Sequence, residues 1–91
     1  MLLAKRIRMI RKQKMKTQEA ICQIIGITQP AYSQYENEAA NMTFGTIIKI
    51  AEALEVPIPF LTDIYSEHTD YDAWRNDLQS KKVVKKFVTN E

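Results

Sequence analysis

Residues 18–35 have the sequence QEAICQIIGITQPAYSQY, which is the most informative segment of the chain for its fold. It contains two short patterns of helical spacing, separated by a glycine. Gly26 suits a sharp turn between two helices, because glycine adopts a positive φ without steric cost. Cys22 is small enough for two helices to cross closely at its position. We therefore predict two short helices meeting at a steep angle, with these apolar side chains turned inward: Ile21, Ile25, Ile27, Tyr32 and Tyr35.

Helix-forming patterns flank this stretch on both sides. Residues 2–14 place Leu3, Ile7 and Ile10 on one helical face, and the other positions hold mainly Lys and Arg. Apolar residues recur at helical spacing again along residues 44–54, and residues 56–61 return apolar side chains to the core, with room for a short fifth helix. Three threonines stand where N-caps are needed: Thr17, Thr28 and Thr43.

The length and composition of the chain favour a single small helical domain. A chain of 91 residues can close one modest hydrophobic core. Two Gly and three Pro are too few for the many tight turns of an all-β fold. Short helices bury their apolar stripes only by packing on one another. We predict an all-α fold, with a compact four- to five-helix domain over residues 1–63 and a C-terminal helical tail over residues 64–91.

Positive charge is concentrated at the start of the chain. Residues 1–18 contain seven basic residues and no acid, whereas residues 19–80 contain ten acids against two basic residues. Such segregation gives one end of the molecule a positive field that attracts a polyanion. A solvated helix face remains the alternative interpretation when the charge is considered alone.

The sequence lacks the usual marks of enzymes, metal sites and membrane proteins. It has no glycine-rich phosphate loop, one His and one Cys, so we predict neither catalysis nor a metal site nor a cofactor. The first ten residues alternate charged with apolar side chains, unlike a signal peptide. The longest uncharged stretch, residues 20–35, contains Gly, Pro and several polar residues, unlike a membrane span. We therefore expect a cytoplasmic protein.

Residues 3–63 resemble the Cro/C1-type helix-turn-helix family of bacterial and phage repressors. The resemblance is carried by IRMIR at 7–11, TQE at 17–19, GITQ at 26–29, YEN at 35–37 and IAEAL at 50–54. It implies a lambda-repressor-like fold whose second motif helix lies in the major groove of double-stranded DNA. It also implies a homodimer on a near-palindromic site. The implied function is sequence-specific regulation of transcription, most simply repression.

The resemblance implies roles for individual residues. Three side chains of the second motif helix fall where family members contact base edges: Gln29, Ser33 and Gln34. Four residues fall at phosphate-contacting positions: Lys16, Gln18, Thr28 and Asn37. Arg11 and Glu36 fall where the family has a partly buried ion pair. Glutamine suits base contact because its amide can donate to and accept from one adenine edge. On residue type alone, these polar side chains would be interpreted as solvated.

Several positions depart from the family pattern. Glu38 and Glu55 stand where glycine is common, so the helix before Glu38 must end differently. Ile24 stands where a charged residue is usual and is expected to be exposed. The loop 37–43 contains no Lys or Arg. Phosphate affinity would therefore come from the basic face of the first helix, the lysines that follow it and the helix N-termini.

The tail carries two apolar clusters. Tyr71, Trp74 and Leu78 share one helical face, and the second cluster, within residues 83–88, falls nearly opposite. One straight helix would be apolar on two sides, so the tail either breaks near Ser80 or is covered by a partner. We favour a dimerisation element, with folding back onto the domain as the alternative. A second functional hypothesis is a protein-interaction module, such as an antitoxin, whose tail binds a toxin or an anti-repressor.

Overall fold

The predicted all-α fold is confirmed. The computed structural model describes the backbone of residues 2–38 and 42–89 and the side chains of residues 2–38 and 42–80. Within these ranges the chain forms six helices and no strand. In chain order they are α1 (Leu2–Gln13), α2 (Gln18–Ile25), α3 (Gln29–Asn37), α4 (Phe44–Leu54), α5 (Ile58–Thr62) and α6 (Tyr71–Thr89). The first five correspond to the predicted domain, and α6 lies in the predicted tail.

Threonine side chains cap three of these helices, as predicted. The Oγ1 atoms of Thr17, Thr28 and Thr43 each accept a hydrogen bond from the backbone N–H three residues later, at 3.1, 3.3 and 3.1 Å. These bonds satisfy donors that the first turn of a helix cannot pair internally. The start points of α2, α3 and α4 are therefore encoded locally.

Left-handed residues end three helices. Gly26 closes α2 with φ 85°, as its place in the sharp turn requires. Met15 and Glu55 follow α1 and α4 with φ 58° each, although neither is a glycine. In both, the next residue donates its N–H to the carbonyl five positions earlier, at 3.2 and 3.0 Å, which is the Schellman pattern. Glu55 therefore occupies the conformation for which glycine is suited, whereas Glu38 ends α3 with φ −129°.

The core lies where α1 to α5 meet. Its largest fully buried side chains are Ile7, Ile10, Ile21, Tyr32, Ile50, Leu54, Phe60 and Leu61. The other inward-facing residues predicted for the helix–turn–helix stretch, Ile25, Ile27 and Tyr35, are partly buried and pack against this core. Cys22 is buried there too. The packing therefore fixes which face of α3 points outward.

The first part of the tail packs on the domain. Trp74 is buried, and its ring centroid lies 5.4 Å from that of Phe60 and 5.9 Å from that of Tyr71. Its Nε1 donates a hydrogen bond to Asp63 Oδ2 at 2.8 Å. Tyr71 and Trp74 of the first apolar cluster thus fold back onto the domain, which was the alternative to a dimerisation element. The predicted boundary between residues 63 and 64 stays a prediction, and these contacts cross it.

α6 continues through Ser80 without the break considered above. Its predicted second apolar cluster, within residues 83–88, lies outside the residues whose side chains are described. Leu78, from the first cluster, is exposed.

A buried arginine joins α1 to the segment around α5. Arg6 donates from Nε and Nη2 to the Phe60 carbonyl oxygen, at 2.9 and 2.7 Å. Its Nη1 donates to the carbonyl oxygens of Ser66 and His68, at 3.2 and 2.8 Å. The guanidinium carbon also lies 4.9 Å from the centroid of the Phe60 ring. Burial lowers the pKa of Arg6, with the nearby Asp63 carboxylate opposing that shift. Arg6 therefore lies outside the exposed basic face of α1.

Candidate nucleic-acid interface

The outer face of α3 carries the residues predicted to contact base edges. The side chains of Gln29 and Gln34 are exposed, and Ser33 is half-buried. Among the described residues, neither Gln29 nor Gln34 forms a hydrogen bond through its amide. The described part of the tail does not cover them, since both remain exposed. Both amides can therefore form hydrogen bonds with a ligand outside the protein.

The N-terminus of α3 is suited to an anion. Thr28 is exposed there, and its hydroxyl accepts from the backbone N–H of Ala31 while keeping its own proton available for donation. The first turn of α3 contains no acid. Unpaired N–H groups and the helix dipole favour negative charge at such an end. The predicted phosphate role of Thr28 is therefore compatible with its role as a cap.

The structure brings Arg11 and Glu36 together in a buried ion pair. Arg11 Nε lies 2.6 Å from Glu36 Oε2, and Arg11 Nη2 donates to Glu36 Oε1 at 3.1 Å. The side chain of Glu36 is 0% exposed and that of Arg11 is 10% exposed. This two-pronged contact fixes α3 against α1 and matches the planar geometries of guanidinium and carboxylate.

Gln18, the first residue of α2, and Lys16, which precedes the helix, extend this ion pair. Gln18 Nε2 donates to Glu36 Oε1 at 3.1 Å, and Arg11 Nη1 donates to the Lys16 carbonyl oxygen at 2.7 Å. The start of α2 and the end of α3 are therefore held beside each other. Gln18 is half-buried, and its amide retains a second hydrogen for another acceptor. Lys16 is half-buried as well.

Burial and pairing act in opposite directions on the charges of this network. Burial would raise the pKa of Glu36, but hydrogen bonds from Arg11 and Gln18 outweigh it, and the pKa lies below its usual value. Hydrogen bonding to Glu36 raises the pKa of Arg11. Both groups therefore stay charged at neutral pH and cancel each other.

The predicted contact residues occupy three regions around α3. Thr28 lies at its N-terminus, whereas exposed Asn37 lies at its C-terminus, one residue after Glu36, to which Gln18 is bonded. The base-contacting candidates lie between these two ends. Within the described ranges, no three His, Cys, Asp or Glu side chains are grouped in a way that could hold a metal ion.

Comparison with known proteins identifies the family. The model of the helix-turn-helix family matches residues 7–61. The chain belongs to this family. The match covers the domain α1–α5 almost completely, so the Cro/C1-type resemblance is confirmed.

Two named proteins are similar to this helix-turn-helix protein. One is an uncharacterized HTH-type transcriptional regulator, YqaE, of Bacillus subtilis (strain 168), 33% identical over 60 residues, which are 66% of this chain and 52% of YqaE. The other is the antitoxin HipB of Escherichia coli (strain K12), 37% identical over 54 residues, 59% of this chain and 61% of HipB. The chain thus matches between half and two thirds of each relative's length. No solved structure matches it significantly.

Two further findings concern the rest of the molecule. In the part of the chain that is described, no helix is both long enough and apolar enough to cross a bilayer. Sequence reasoning anticipated the burial of Arg11 through the family resemblance but missed the burial of Arg6. Arg6 and Arg11 are buried, whereas Lys5, Arg8 and Lys12 are exposed. The signal was available, because rotation by 100° per residue separates these two sets around the helix.

Proposed function

We propose that this helix-turn-helix protein is a sequence-specific DNA-binding regulator of transcription that acts in the cytoplasm. The single observation that carries the proposal is the pair of exposed amides, Gln29 and Gln34, on α3 of a helix-turn-helix domain. In the proposed complex α3 enters the major groove, and each amide pairs with the N6 and N7 edge of an adenine. Ser33 adds a shorter hydrogen-bonding side chain between them.

Phosphate contacts at both ends of α3 would fix the position of the helix in the groove. Thr28 would donate at the N-terminal end, whereas Lys16, Gln18 and Asn37 would act at the other end. Such contacts orient the protein but carry no sequence information of their own. The Arg11–Glu36 pair would hold α3 at a constant angle, and its mutual neutralisation would keep Glu36 from repelling phosphate.

The regulator would bind as a homodimer and act most simply as a repressor that covers a promoter. Two copies of α3 spaced by one helical turn of DNA would contact the two halves of a near-palindrome. The similarity to the HTH-type transcriptional regulator YqaE supports the role in transcription regulation.

The test is selection of bound fragments from a random duplex library, followed by affinity measurement for the selected site. We expect Gln29→Ala/Gln34→Ala to lose about 1–3 kcal/mol of discrimination per lost base contact, while binding to unrelated duplex is unchanged. The matched control is Gln13→Ala/Gln79→Ala, which removes two exposed amides from α1 and α6. If the α3 variant bound the selected site as tightly as the control, the assignment of these amides would be wrong.

A second candidate function is that of an antitoxin, favoured by the similarity to HipB. In this proposal the protein binds a toxin or an anti-repressor through its tail, and DNA binding by α1–α5 accompanies that activity. Co-purification with the product of the neighbouring gene, using the full chain and a variant ending at Ser80, tests it. We expect the full chain to form the complex and the shortened variant not to form it. Equal binding by the shortened variant would contradict a role for the end of the tail.

A further inference from the structure

The surface around α3 has little positive charge of its own. α3 contains no Lys or Arg, and neither does the loop that follows it up to residue 43. A protein that binds duplex DNA nevertheless gains most of its sequence-independent affinity by neutralising phosphates. The positive charge must therefore come from another element that reaches the same face of the molecule.

α1 presents a basic stripe beside α3. Lys5, Arg8 and Lys12 are exposed, and at 100° per residue they fall within a narrow sector of the helix. Arg11 occupies the adjacent sector and is bonded to Glu36 of α3. Because Arg11 points at α3, the stripe next to it flanks α3 as well. Arg6 points toward α5 on the opposite side.

A shallow groove brings this stripe to the C-terminal end of α3. The groove has a volume of about 360 Å³ and is lined by Leu2, Lys5, Arg8, Glu36 and Asn37. Glu36 contributes no net charge because Arg11 is paired with it. Within the described part of the chain, neither Lys5 nor Arg8 forms an ion pair. The groove therefore carries two uncompensated positive charges next to an exposed amide.

We propose that Lys5 and Arg8, together with Asn37, form a binding site for the phosphodiester backbone of duplex DNA. This site replaces the basic residues that the loop after α3 lacks. The guanidinium of Arg8 can donate two parallel hydrogen bonds to a phosphate, Lys5 adds a compact charge, and the Asn37 amide donates a hydrogen bond. The inference rests on the proposed function and names a further part of the same DNA-binding surface.

The experiment compares two double variants of the full chain that lose the same charge. Lys5→Gln/Arg8→Gln removes both uncompensated positive charges from the groove. The control, Lys49→Gln/Arg75→Gln, removes two exposed positive charges from α4 and α6, outside the groove. Affinity for the selected duplex and for an unrelated duplex is measured between 50 and 200 mM salt. Each lost phosphate contact reduces the slope of log affinity against log salt by about 1. The groove variant should therefore lose about 16-fold more affinity at 50 mM than at 200 mM salt, on both duplexes.

Each outcome decides the inference. An equal salt slope in the groove and control variants would overturn it, and so would a loss confined to the selected duplex, because phosphate contacts do not distinguish sequence. Arg8→Lys keeps the charge and should keep the slope. A wild-type chain that bound neither duplex at 50 mM salt would overturn the proposed function itself. If Gln29→Ala/Gln34→Ala lost its preference for the selected duplex but kept the wild-type dependence of affinity on salt, base contact by α3 and phosphate contact by the groove would be distinguished.

Discussion

Arg11→Met tests whether the ion pair between α1 and α3 supports the fold. The substitution keeps an unbranched side chain but removes the guanidinium that contacts Glu36 at 2.6 and 3.1 Å. The Glu36 side chain is 0% exposed, so its carboxylate would remain buried without a cation. Breaking a buried pair by removing one partner costs about 3–5 kcal/mol.

That cost is large compared with the stability of so small a protein. A chain of 91 residues has an unfolding free energy of roughly 5–14 kcal/mol. At 4–8 °C per kcal/mol, a loss of about 3 kcal/mol lowers Tm by at least about 12 °C. The matched control is Arg8→Met, which removes an exposed guanidinium from the same helix and should change stability by less than about 0.5 kcal/mol.

The pH dependence of stability gives an independent test, because Glu36 should change stability with pH in opposite directions in the wild type and the variant. In the wild type the pKa of Glu36 is lowered, so its contribution is present above the unfolded pKa of about 4.3 and is lost as pH falls through the folded pKa. In Arg11→Met, burial is no longer offset by Arg11, and the folded pKa should rise above the unfolded one. The contribution of Glu36 to the stability of the variant is then most favourable at low pH and decreases as pH rises. The stability difference between wild type and variant should therefore increase from pH 4.5 to pH 7.

The assay is urea unfolding followed by circular dichroism across this pH interval. Arg11→Met/Glu36→Met should recover most of the lost stability, because removing both charges leaves no buried ion unpaired. Two results would contradict a stabilising role for the ion pair. One is a loss below about 1 kcal/mol for Arg11→Met at pH 7. The other is a stability difference that stays constant or shrinks as pH rises.

Two further predictions concern the ends of helices and the tail. Glu55→Gly should raise the urea midpoint by the equivalent of about 1 kcal/mol, because a non-glycine residue at φ 58° carries a left-handed penalty that glycine avoids. Glu55→Ala is the control, and an equal gain in both variants would point to charge instead of backbone conformation. Trp74→Ala should lower the free energy of unfolding by about 3–5 kcal/mol, since its ring is buried against Phe60 and Tyr71. Urea unfolding followed by circular dichroism measures this loss. Exposed Leu78→Ala should cost far less, and equal losses would contradict the packing of α6 described above.

Much of the fold could be predicted because its signals are local. Thr17 and Thr28 bond to backbone donors three residues away, and Gly26 has its positive φ within its own turn. Such features depend on neighbours in sequence and need no knowledge of the tertiary structure. The outward orientation of Gln29 and Gln34 followed in turn from the inward face assigned to Tyr32.

Which basic residues of α1 are buried could not be predicted in the same way. Arg6 and Arg8 are both arginines on α1, but Arg6 is buried because the carbonyl oxygen of Phe60, 54 residues later, accepts two of its hydrogen bonds. A carbonyl acceptor has no signature in the sequence. Trp74 is a similar case, since helical spacing gave its face but could not tell whether the domain or a partner would cover it. Contacts with residues distant in sequence determine the burial of both side chains.

The two buried arginines make α1 the joint between the proposed DNA-binding surface and the tail. Arg11 fixes α1 to α3 through Glu36, whereas Arg6 fixes the same helix to the segment that leads into α6. They stand five residues apart, so about 140° of helical rotation separates them and each serves a different side of the core. Lys5 and Arg8 lie on the exposed side of α1, between the sectors of Arg6 and Arg11. Because α1 is a continuous helix, α3 and the base of α6 keep a fixed relation through it. Loss of Arg6 should therefore loosen the tail, and loss of Arg11 should loosen α3.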